Sequence, residues 1–118
     1  MDQSVVKLLE EVVERSWEEH QVFSKAVFKK LSKRTDSVCQ AISRLVHHHV
    51  MGCFPDSYML EFRVEDKPHI IVYISHNNHN YIVDGTIKQF LPEEEKTVFY
   101  LPNYPYQKEI STAKRRLI

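Results

Sequence analysis

Three side chains of this sequence, Cys39, His69 and Asp84, follow one another in the order thiol, imidazole, carboxylate. Brought together, they make a nucleophile, a base and a group that orients the base. Thr35-Asp36-Ser37 puts three good N-cap residues in a row just before Cys39, and Ser37-Val38-Cys39-Gln40 fits the capping pattern S-x-x-Q. Cys39 is then expected in the first turn of a helix. There the unpaired backbone N–H groups and the positive end of the helix dipole favour thiolate. The same N–H groups can hold the oxyanion of a tetrahedral intermediate. Gln40 could support that oxyanion, in competition with its capping role.

The histidine and the acid belong to one stretch, PHIIVYISHNNHNYIVDGTIKQF, residues 68 to 90. It reads as two strands joined at Asn77-Asn78, and asparagine tolerates the positive φ of a tight hairpin. For any loop with an even number of residues, positions whose numbers sum to an odd value share a face. His69 and Asp84 therefore do, opposite or diagonal, with about 5 to 8 Å between backbone positions. The carboxylate can fix the imidazole tautomer and favour the imidazolium. Ile70, Val72, Ile74, Tyr81 and Val83 fall on the other face and read as core.

Other histidines compete less well. His76 and His79 sit at the turn as ordinary exposed residues, and His79, the nearest rival base, does not face the acid. His47-His48-His49 are consecutive on an expected helix and point about 100° apart, so they cannot converge on one metal. No C-x-x-C or H-E-x-x-H accompanies them. Neither a metal nor any other cofactor is expected. Cys53, after Gly52 at a helix end and before Phe54-Pro55, reads as packing.

The elements that position these groups follow from periodicity. Residues 1 to 51 contain no Gly and no Pro. Val5, Leu8, Leu9, Val12, Val13 and Trp17 recur at helical spacing, and Val22, Phe23, Ala26, Val27 and Leu31 continue the stripe. Whether a break falls near His20 to Ser24 is left open. Val38, Ile42, Leu45, Val46 and His49 trace one face of a further helix, closed by Gly52. Then the period becomes 2. Tyr58, Leu60, Phe62 and Val64 alternate with polar neighbours, Glu65-Asp66-Lys67-Pro68 turns the chain, His69 to Ser75 and Asn80 to Asp84 are strands, and Val98 to Leu101 is a candidate fourth. Helices first and antiparallel strands second predict an α+β fold.

At 118 residues the chain has the size of one domain, taken as 1–118, with amino-terminal helices over about 4–33 and a core over about 35–101. Sixteen Lys+Arg balance sixteen Asp+Glu, so no overall charge points to nucleic acid as partner. Lys114-Arg115-Arg116 reads as a solvated basic tail, with a partner-binding tail as the alternative. The longest apolar run, Ile70 to Ile74, is far too short for a membrane span. A helix between the two cysteines would hold them roughly 20 Å apart, beyond disulfide reach, so both should be free thiols. Free thiols favour a reducing place of action.

On TDSVCQAISRLV, PHIIVYI and YIVDGTIKQF, residues 35 to 101 resemble the papain-like fold toxins and effectors of bacteria, including glutamine deamidases. The D-x-T-x-x-Q-F-like tail of Asp84, Thr86, Gln89 and Phe90 is also similar to that of transglutaminase-like relatives. The resemblance implies a papain-like fold, its nucleophile helix packed on a small antiparallel sheet. Cys39 would be nucleophile, His69 base and Asp84 orienter. It implies a secreted bacterial toxin or effector, a hydrolase acting in the cytoplasm of a host or target cell and delivered by a secretion system as part of a longer chain. Its partners would be a protein substrate carrying a target glutamine and a cognate immunity or inhibitor protein. No glutamine stands a few residues upstream of Cys39, and no C-G-S-C-W-like sequence surrounds it, which separates the chain from papain-type peptidases.

The favoured expectation is a thiol-dependent amidohydrolase that converts a protein glutamine to glutamate. A cysteine protease or a transglutaminase using the same triad is the alternative, because the first chemical step is shared. A noncatalytic protein-binding module is the alternative of another class.

Overall fold

The computed structural model describes residues 2–31 and 38–116, the side chains of 23–31 excepted. The amino-terminal stripe forms one helix, α1 (Gln3–Leu31), with no break near His20 to Ser24. The second helix, α2, spans Val38–Val50. The capping residues Thr35-Asp36-Ser37 lie outside the described residues. Five strands follow: β1 (Ser57–Val64), β2 (Lys67–His76), β3 (His79–Val83), β4 (Val98–Tyr100) and β5 (Lys114–Arg116), with a short helix α3 (Gln107–Ile110) before the last. They form one antiparallel sheet in the order β4-β3-β2-β1-β5. The fold is α+β. No helix among the described residues is long and apolar enough to cross a membrane.

Turn chemistry sets the register. Asn77 and Asn78 adopt φ of 49° and 64°, as a two-residue hairpin loop requires, and β2 pairs with β3 from Val72↔Val83 to His76↔His79. Glu65 and Asp66 do the same between β1 and β2, with φ of 52° and 64°.

The sheet has two cores. One face, with Met59, Ile70, Val72, Ile74, Tyr81 and Val83, packs on Leu9 and Val13 of α1 and on Ile42, Val46 and Val50 of α2. The other face, with Leu60, Phe62, Ile71 and Ile82, is covered by Ile87, Phe99, Tyr104 and their neighbours from the chain after β3. Burial on both faces explains why β2 reads as a continuous apolar run where a half-exposed strand would alternate.

Two expectations need correcting. The basic tail is a strand: β5 pairs with β1 at Met59↔Arg116, Leu60↔Arg115 and Glu61↔Lys114. Arg116 bonds to Glu61, and the Arg115 guanidinium lies 4.4 Å from the centre of the Tyr58 ring. Cys53 is exposed instead of packed, because α2 has ended at Val50 and the turn carries it outward.

Gly85 joins the sheet to both helices. The Trp17 indole N–H donates to its carbonyl at 2.9 Å, and a methyl group placed on Gly85 would lie 2.8 Å from Ile42 Cγ2. Ile42 is fully buried and has nowhere to retreat. Gly85→Ala is expected to lower the unfolding free energy by about 1–3 kcal/mol, the usual result of overpacking a core. Urea unfolding measures it; unchanged stability would mean that α2 shifts freely over the sheet.

Candidate active site

His69 is the third residue of β2 and faces Phe62 across the β1–β2 pairing. Asp84 follows the last residue of β3, and its N–H donates to Thr97 O at 2.7 Å, which fixes the carboxylate's origin. Extending the β2–β3 register by one pair would set Asp84 opposite Ile71, so it lies diagonal to His69 on the same face. There the His69 Nε2–H donates to Asp84 Oδ2 at 2.8 Å. Neither side chain has any exposed surface.

A third member of this cluster is Tyr104, buried in the segment between β4 and α3, whose hydroxyl donates to the same Asp84 Oδ2 at 2.7 Å. Burial, then the Asp84 charge and hydrogen bond, push the Tyr104 phenol far above its ordinary range, so it stays a donor. Sequence reasoning missed Tyr104. It falls in a stretch with no regular period, and nothing in NYPYQ says that the ring turns back under the sheet. Phe62 and Phe90 meet the His69 ring edge-on, at centroid distances of 5.5 and 5.0 Å. Together these rings leave the imidazole little freedom to turn.

Cys39 is the second residue of α2, on the face that Ile42, Ser43 and Val46 bury against the sheet. One turn on, the Ser43 hydroxyl donates to Ile70 O at 2.8 Å and pins α2 to β2 beside His69. Asp84 occupies Nε2, while Nδ1 makes no hydrogen bond. Cys39 is near enough for its thiol to help raise the pKa of the imidazole. Of the three residues only Cys39 has exposed surface, 6%.

Burial of the ring works against the imidazolium, but the Asp84 hydrogen bond, the Cys39 interaction and the two charges outweigh it. Together they raise the His69 pKa from 6.5 to about 9. The imidazolium is thus the favoured state at neutral pH. Because the folded value lies above the unfolded one, the pair's stabilisation is complete below about pH 6.5 and is lost as pH rises through about 9. Stability should therefore decline over that window. Proton NMR titration of the His69 ring alongside guanidinium unfolding tests this. A ring that titrates near 6.5, with no alkaline loss of stability, would show that neither partner holds the proton.

The remaining sequence-based candidates are placed apart from this cluster. With its amide turned so that the oxygen accepts, the orientation its two cationic neighbours require, Gln40 binds Arg44 Nη2 at 2.7 Å and Arg116 Nη2 at 3.0 Å. It ties α2 to β5. His47 Nε2–H donates to Ser57 O at 3.2 Å and His49 Nε2–H to Glu19 Oε1 at 2.9 Å, so these two serve packing between elements. His79 is exposed and lies against Tyr100. Among the described residues no three His, Cys, Asp or Glu side chains converge as metal ligands would.

Compared with protein-family models, with curated proteins and with solved structures, the chain matches none. Chemically, the cluster can hold a proton on an imidazole beside a thiol, with a buried carboxylate and phenol fixing the ring.

Proposed function

We propose that the chain is a papain-like thiol amidohydrolase that converts a glutamine of a target protein to glutamate, as a bacterial toxin or effector. One observation carries this reading: Asp84 binds Nε2 of His69 and leaves Nδ1 without a partner, and Cys39 at the start of α2 is near enough to raise the pKa of the imidazole. That arrangement suits an imidazole that exchanges protons with a thiol.

The Cys39 thiolate adds to the side-chain carboxamide carbon, and the first-turn N–H groups of α2 receive the oxyanion. When the intermediate collapses, His69 Nδ1–H protonates the departing nitrogen, ammonia leaves and a thioester remains. Neutral Nδ1 then takes a proton from water, hydroxide adds to the thioester carbon, and collapse releases the glutamate side chain and the thiolate. The sum is carboxamide plus water to carboxylate plus ammonium. Asp84 and Tyr104 keep the ring oriented throughout and never contact substrate.

Full burial of His69 and Asp84 favours a second reading, a noncatalytic binding module in which the pair is a polar feature of the core. Incubating the domain with candidate target proteins, followed by intact mass and peptide mapping, separates the two. A single Gln→Glu conversion that requires Cys39 supports the amidohydrolase. A cut backbone or an amine adduct would reassign the acyl-enzyme to a peptidase or a transglutaminase. No thiol-dependent change in any target that the domain binds would leave the binding module.

A further inference from the structure

Between α1 and the chain that leaves Asp84 runs a groove of about 530 Å³. Its α1 wall carries Glu10, Glu14 and Glu18, one helical turn apart, with Trp17 among them; Glu95 closes the opposite side. All four glutamates are exposed, and among the described residues no cation pairs with any of them. Lys88 is the only positive charge on the lining. Like charges at i, i+4 and i+8 oppose helix formation, so the stripe works against the element that carries it. The indole is held by its bond to Gly85 O, packs in part on the helix-side core and meets the His20 ring edge-on at 6.0 Å, and its remaining surface lines the groove.

A second observation points the same way. Thr86 belongs to the groove lining and is 3% exposed, yet its hydroxyl oxygen meets no donor or acceptor of the protein. A buried hydroxyl without a partner is costly, and a ligand N–H would satisfy it.

We infer that this groove binds a lysine- or arginine-bearing segment of the protein substrate. The carboxylates supply the opposing charge, the indole a surface for a cation, and Thr86 an acceptor at the floor. Assigning the segment to a substrate rests on the amidohydrolase reading. Binding of a basic peptide does not. Gly85 and Thr86 follow Asp84 directly, so a segment held here would lie close to the proposed chemistry.

Trp17 is the only tryptophan, so its fluorescence reports on the groove. Cys39→Ala protein would be titrated with a short arginine/lysine peptide lacking glutamine, and with the same peptide carrying citrulline for arginine and acetyl-lysine for lysine. Calorimetry would run in parallel. Binding of the charged peptide alone, weakened by salt and about tenfold by Glu14→Gln with Glu18→Gln, is the expected result. Thr86→Val should weaken binding while leaving stability equal or higher, since the orphaned hydroxyl is gone. Absence of heat and of fluorescence change, equal binding of the neutral peptide, or affinity indifferent to the glutamate changes would each overturn the proposal. Basic-peptide binding without glutamine conversion in any target would keep the groove and remove the amidohydrolase. Conversion without peptide binding would do the reverse.

Discussion

Cys39→Ala is expected to abolish glutamine conversion, with a loss on the order of 10⁴-fold or more, as removal of a covalent nucleophile does in other enzymes. The fold should survive. Cys39 belongs to the helix-side core, but its sulfur forms no hydrogen bond that holds an element in place, and the expected loss of stability is about 1 kcal/mol. Activity by mass spectrometry and stability by urea unfolding thus separate cleanly at this residue. His69 offers a further readout of the same change: losing the thiol as a neighbour should bring its pKa down from about 9. Retained conversion in Cys39→Ala would end the thiol mechanism outright.

The opposite balance is expected at Asp84. Replacing it by alanine leaves a fully buried imidazole without its acceptor and a buried phenol without its partner, and should lower the unfolding free energy by about 3–5 kcal/mol. The variant's remaining stability should also lose most of the alkaline decline expected of the wild type, because the larger of the two neighbours that raise the His69 pKa is gone. Asp84→Asn keeps the shape and an acceptor oxygen but removes the charge. It should fold better than the alanine variant and still shift His69 downward. Tyr104→Phe, which deletes one hydrogen bond to the carboxylate, should cost about 1.5–3 kcal/mol. Chemical denaturation of the three variants across pH gives their order. A Tyr104→Phe protein less stable than Asp84→Ala would show that a buried carboxylate short of its phenol costs more than no carboxylate at all, against the balance expected here.

The pairing of His69 with Asp84 was legible in the sequence because a two-residue loop leaves only one parity. Asn77-Asn78 announces that loop, and side-chain alternation does the rest. The helix that carries Cys39 was legible from its periodicity. Single readings failed where a residue's role depends on chain far away in sequence. Tyr104 reaches Asp84 across 20 positions in which the short β4 is the only strand, and local rules do not count that far. The strand formed by Lys114-Arg115-Arg116 looks like a tail because its pairing with β1 spans more than fifty residues, and its charges suit an exposed edge as well as they suit solvent. The second core was signalled after all: a strand as uniformly apolar as IIVYI needs cover on both sides.

In the strand order β4-β3-β2-β1-β5, His69 lies on the middle strand and Asp84 leaves the one beside it. Interior strands exchange their amides last, since nothing short of global opening exposes them. The proton-holding couple is therefore built into the most durable cooperative unit of the molecule. Heating would then inactivate the couple and melt the domain in one event, with no folded but disarmed species between them.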